Sequence, residues 1–239
     1  MSLKAVLLVW YRETTANQNT TLLTLRSRVT SFVIKKMFIT FDGGDGCGKS
    51  TQIKQLAEWL GSQGIETVLC RDPGSTPLGN AVREILLRSK DLEICTTAEM
   101  LLFMTARAQL VEEVIRPALE AKKTVLSDRY LLSNFAYQSF GGGLSLDLMQ
   151  SVAQAATGGL LPDLGFVLDL PYETALERIG SRGTPDRMEG KGEEYHKRVR
   201  QGFLKLAALD PGRYLLLDAS ENIETVHQQV RNVVLQRLL

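Results

Sequence analysis

Residues 37–60 read MFITFDGGDGCGKSTQIKQLAEWL: an apolar run, a glycine-rich turn and an amphipathic stretch in direct succession. MFITFD is apolar on both faces and rich in aromatic and β-branched side chains, as in a strand buried inside a sheet. GGDGCGKS, Gly43–Ser50, then matches G-x-x-x-x-G-K-S in full, and apolar spacing predicts a helix over 49–60. Gly43, Gly46 and Gly48 let the backbone curl until several N–H groups converge on one phosphate. The helix opening at Lys49 aims its positive end at the same anion. Lys49 is expected to reach the β- and γ-phosphates and Ser50 to set its hydroxyl on Mg²⁺. Gly44, Asp45, Cys47 and Thr51 complete the cradle, with Cys47 as its small filler.

Outward from this turn the chain alternates. Further strands are predicted at 65–70, 123–127, 164–170 and 213–218. Helices are predicted at 78–88, 98–121, 131–139, 144–157, 172–181, 193–209 and 223–237, with Pro117 expected to bend or break the long one. Short apolar strands alternating with helices predict an α/β fold. It is a three-layer α/β/α sandwich on a five-stranded parallel sheet, of the P-loop NTP hydrolase type. Composition does not change after residue 37, so 37–239 is expected to be one domain with a polar lid at about 182–192.

The chain has 239 residues, 44% apolar and 23% charged, which excludes wholesale disorder. Cys47, Cys70 and Cys95 lie far apart, in no metal-ligand spacing, and only His196 and His227 are present. A disulfide framework and a histidine-built metal site are therefore not expected, and a reducing, cytoplasmic setting is. No apolar run reaches the ~18 residues of a membrane span. Residues 1–36 carry six basic residues and one acid, Glu13, while the other 203 carry 22 basic and 26 acidic. The body is thus no nucleic-acid surface by its sum. The basic, hydroxyl-rich front segment reads as an extension outside the chemistry, with organelle targeting as the minority alternative.

The turn names a nucleoside triphosphate and Mg²⁺, not a reaction. No N-K-x-D stretch marks a GTP switch, and no long apolar strand ends in Asp-Glu as in a mechanical ATPase. Instead Asp128-Arg129 pairs a metal or water ligand with a phosphate-binding fork at a strand's C-terminal end, where open α/β sheets bind ligands. Arg71 follows the second strand directly. Phe103 and Arg107 share a helix face, and Arg178, Arg182 and Arg187 crowd the lid.

Five ordered stretches over 37–239 together resemble the thymidylate kinase family: FDGGDGCGKST, RDPGST, LLFMTARAQLVEEVIRPAL, DRYLLSNFAYQ and the segment from PDLGFVLDLPYETALERIGSRG into DRME. Asp72 stands where the family more often has Glu. The resemblance implies transfer of the γ-phosphoryl group of ATP to dTMP. It implies Phe103 stacked on thymine, Arg107 on its O4 edge, and Asn134 on its polar edge. Tyr137 would lie under the sugar with no room for a 2′-hydroxyl, and Gln138 would help hold the acceptor. Arg71 and Arg129 would clamp the acceptor phosphate, with Asp45 near the 3′-hydroxyl and Asp128 near the Mg²⁺ shell. Pro73 is often cis in the family. Gly46 leaves the turn without an arginine, so the resemblance implies a lid arginine at the transferring group, Arg182 first, with Arg178 and Arg187 as fallbacks. It also implies a homodimer.

Two other readings remain open on sequence alone. One is a kinase of another nucleoside monophosphate or of a deoxynucleoside. The other is a non-catalytic nucleotide-binding module, against which stands the retention of Arg71 and the lid arginines.

Overall fold

The computed structural model describes residues 36–89, 91–180 and 186–238. β1 (Phe38–Gly43), β2 (Thr67–Arg71), β3 (Thr124–Asp128), β4 (Leu164–Asp169) and β5 (Tyr214–Asp218) form one sheet in the order β2-β3-β1-β4-β5, every pair parallel. Each strand falls within a few residues of its predicted place. Side chains alternate between two apolar layers, as a strand's period of two requires. Phe38, Val125 and Val167 pack on one side. Ile39, Phe41, Leu126 and Phe166 pack on the other. Both faces are covered, which is why these strands read as continuous apolar runs. Truncating a core aromatic such as Phe41 to Ala would cost about 3–5 kcal/mol.

The helices are α1 (Lys49–Ser62), α2 (Pro77–Arg88), α3 (Thr96–Leu110), α4 (Arg116–Glu120), α5 (Leu131–Asn134), α6 (Leu146–Thr157), α7 (Tyr172–Gly180), α8 (Glu193–Leu209) and α9 (Ile223–Leu238). Pro117 does not end the long helix. A π-helical stretch, Val111–Ile115, joins α3 to α4, and Pro117 falls in the first turn of α4, where a missing N–H costs little. A second π-helical stretch, Phe135–Gly141, continues α5 and is almost wholly buried. It carries Tyr137 and Gln138, two of the residues expected at the acceptor site. No helix among the described residues is long and apolar enough to cross a membrane.

Parallel pairing brings the C-terminal ends of β1, β2 and β3 to one edge. Register sets Arg71 opposite Asp128, and Asp128 opposite Phe41, two residues before Gly43. Predicted site residues from three segments thus meet at one rim.

Candidate active site

The phosphate-binding turn has the backbone its glycines predict. Gly43, Gly46 and Gly48 take φ of 135°, 75° and 93°. At Gly43 a Cβ would collide with the carbonyl of Leu168, so space and backbone both require glycine there. Lys49 reaches back along the turn, its Nζ donating to the carbonyls of Gly44 at 2.6 Å and Gly43 at 3.3 Å. Cys47 is buried in the turn as a filler. Ser50 Oγ donates to Asp128 Oδ2 at 2.9 Å, bringing two hard oxygen donors together beside the turn. Mg²⁺ takes one or two protein oxygens and fills its octahedron with phosphate oxygens and water, so this donor pair fits it. No cluster of three or more acidic, Cys or His side chains competes for a metal among the described residues.

Arg129 organises the junction. Its φ of 71° is strained for a non-glycine residue. The backbone N–H donates to Phe41 O at 2.9 Å, and the guanidinium donates to Gly43 O at 2.7 Å and Asp45 Oδ1 at 2.5 Å. Tyr137 donates its hydroxyl to the other oxygen of Asp45 at 2.9 Å and lies under the Arg129 guanidinium, 5.1 Å from ring centre to Cζ. Burial opposes the charge on Asp45. Arg129, Lys49 and the hydrogen bonds from Tyr137 and Arg129 overcome that and hold its carboxyl well below the usual range. Phe203 and Tyr195 pack edge-on against the Tyr137 ring.

Beyond this junction lies a cleft walled by Phe103, Arg107, Asn134, Tyr137 and Gln138, with Leu87 and Met188 closing it. Arg107 is fully buried and cannot swing. Its Nε donates to Asp72, its Nη2 donates to Tyr130 O at 3.1 Å, and its Nη1 lies 3.3 Å from Met104 Sδ. Asp72 precedes Pro73 through a cis peptide bond. Burial pushes the Asp72 carboxyl up despite Arg107, and Asp42 adds to the rise. A second, polar groove runs along the turn past Lys49, Ser50, Thr51, Arg71 and Asp128. Cleft and groove share Asp45, Asp72, Arg83, Arg129 and Asp186.

The lid arginines fare differently. Arg178 donates to Ala219 O at 3.1 Å, away from the junction. Arg187 donates to Leu86 O and Glu99 Oε2, both at 2.7 Å. Arg182 lies outside the described residues.

Two residues escaped the sequence reading. Arg83 walls both cleft and groove and donates to Pro73 O at 3.1 Å. Glu99 is a fully buried carboxylate joined to Arg187, Lys191 and Gln138. Glu99 had a signal: it stands four residues before Phe103 and eight before Arg107, on the same helix face. Arg83 had only its place between buried Val82 and Leu86.

The family model for thymidylate kinase matches residues 41–230. The chain belongs to the thymidylate kinase family. The thymidylate kinase of Deinococcus radiodurans is 45% identical over 201 residues, 84% of this chain and 97% of that one. The thymidylate kinase of Kosmotoga olearia is 44% identical over 194 residues, 81% and 93% of the two chains. The crystal structure of thymidylate kinase from Ehrlichia chaffeensis superposes with a TM-score of 0.69 at 31% identity, covering 84% of this chain and 99% of that one. Thymidylate kinases are phosphotransferases, and the α/β architecture described above is the one that this family shares.

Proposed function

We propose that the chain transfers the γ-phosphoryl group of ATP to dTMP, giving dTDP and ADP, with residues 37–239 acting as one kinase domain. The observation that carries this is the meeting of two spaces along one set of shared residues. The polar groove along the turn and the cleft beside Phe103 and Arg107 share Arg129 and Asp45 among their walls. A base between Phe103 and Arg107 would send its 5′-phosphate toward Arg129, Arg83 and Arg71, facing the turn. Tyr137, pinned by Asp45 and by aromatic neighbours, leaves a rigid floor for a deoxy sugar.

The chemistry asked of these residues is electrostatic. An oxygen of the acceptor phosphate, already anionic, attacks the γ-phosphorus in line; the bond to the β–γ bridging oxygen breaks and ADP leaves. No strong base is needed. Lys49, Arg129 and the turn's N–H groups hold oxygens whose charge shifts during transfer, and Arg182 is assigned to the transferring group. Mg²⁺, held from Ser50 and Asp128, would neutralise the β- and γ-phosphates. Exposed Leu78 and Ile85 on α2 and Leu101 on α3 support a homodimer through helices beside the site.

Chromatographic detection of dTDP and ADP from dTMP, ATP and Mg²⁺ tests the proposal. Lys49→Met should abolish the product; product formation independent of Lys49 would contradict this use of the turn.

A further inference from the structure

Glu99 Oε1 accepts from Gln138 Nε2 at 3.0 Å and from Lys191 Nζ at 2.9 Å. Its Oε2 accepts from Lys191 Nζ and Arg187 Nη2, each at 2.7 Å. Burial works against the charge, but these donors hold the carboxyl below its ordinary range, so at neutral pH it only accepts. A neighbour that only accepts fixes the orientation of an amide. Gln138 must turn its NH₂ to Glu99, which leaves Gln138 Oε1 to accept from Asn134 Nδ2 at 2.9 Å. With Nδ2 turned to Gln138, Asn134 keeps Oδ1, the other end of its amide, as the acceptor it can offer. Asn134 lines the cleft beside Phe103 and Arg107. Donor and acceptor order along three side chains is thus dictated from the Glu99 end.

We propose that Glu99 is a positioning residue for base specificity: through Gln138 it orients Asn134 to offer an acceptor, which selects a pyrimidine whose N3 carries a proton and rejects cytosine. The inference rests on the dTMP kinase reading and narrows it to the base edge. Thymine and uracil present a carbonyl at position 4 and a donor at N3. Cytosine presents an amino group and an acceptor. Arg107 offers only donors, so it suits O4 and opposes the amino group. A reversed edge leaves buried polar groups facing like groups, the mismatch that discriminates most strongly.

The test compares kcat/KM for dTMP and for 5-methyl-dCMP, which share methyl, sugar and phosphate and differ at N3 and position 4. In Glu99→Gln, Arg187 and Lys191 claim the amide oxygen, the new NH₂ faces Gln138, and the relay reverses. The preference for dTMP should fall at least ~10-fold, mostly through loss of dTMP turnover. Glu99→Asp keeps the charge and should stay within about threefold of the original preference. Gln138→Met cuts the relay while leaving the Glu99 ion pairs intact, and should also erode the preference, so the result does not hang on one variant folding. Equal losses for both substrates, or an unchanged preference, in an enzyme whose wild type phosphorylates dTMP would overturn the relay alone. A wild type inactive on dTMP would overturn the parent reading, and the relay with it.

Discussion

Arg187 is bound to Glu99 at 2.7 Å across 88 residues of chain, and its Nε is spent on the carbonyl of Leu86. A guanidinium held on two sides ties this part of the lid to α2 and α3. Arg187→Ala should therefore destabilise the fold by roughly 1–3 kcal/mol, because Glu99 stays buried with fewer donors. Urea denaturation at neutral pH measures it. A variant as stable as wild type but about 10²-fold slower would instead return Arg187 to the transferring phosphoryl group.

Arg182 and Arg71 should separate in steady-state kinetics. Gly46 gives the turn no arginine, so the fork of Arg182 is assigned to the transition state. Arg182→Ala should lower kcat by roughly 10²-fold with little change in KM for dTMP. Arg71, in the groove opposite Asp128, should grip the acceptor phosphate before and during transfer. Arg71→Ala should raise KM for dTMP as well as slow turnover. Near-normal kcat in Arg182→Ala would remove its role.

Asp45 makes the acid limb of stability predictable. Its folded-state pKa is depressed, so the native protein binds fewer protons than the unfolded chain as pH nears the ordinary ~3.9. The stabilisation is fully present above that value and drains away as pH falls toward the depressed one. Wild type should exceed Asp45→Asn by roughly 2 kcal/mol from pH 8 to 5, the gap closing below about pH 4. A gap that widens on acidification would reverse the sign assigned to Asp45.

A chain beginning at Met37 should fold and keep full turnover. Every assigned side chain lies beyond that point, Met37 itself is buried, and the N–H of Phe38 donates to Asp163 at 2.7 Å. Thermal denaturation and kcat of the shortened chain decide it. Insolubility, or lost turnover in a monodisperse sample, would make residues 1–36 part of the working fold.

The sheet was legible because the central strands β1, β3 and β4 are buried on both faces, so local pattern and final environment agree, while the edge strands β2 and β5 leave Leu69 and Leu216 exposed yet keep the same apolar run. The turn was legible for the same reason: its glycines are required by local backbone. Of the two outcomes expected at Pro117, the break does not occur: a π-helical stretch precedes it, with Val111 and Ile115 packed in the core, and the chain goes on as α4. Glu99 shared a helix face with Phe103 and Arg107, but its role was hidden because its partners come from distant chain. Glu99 is an ordinary helix carboxylate until Arg187 and Lys191 arrive. Asn134 was placed at the base edge, but its orientation is set by Gln138 and Glu99, which no local pattern encodes.

Initial rates of ADP formation with ATP and Mg²⁺ against a panel of all nucleoside monophosphates decide whether this cleft is built for dTMP. dTMP should be the best acceptor. dUMP should be slower, since the missing methyl forfeits about 1 kcal/mol of apolar contact, and UMP slower by a larger factor because its 2′-hydroxyl meets the Tyr137 ring. Equal turnover of UMP and dTMP, or a purine monophosphate as the best acceptor, would contradict the assignment of the cleft to dTMP.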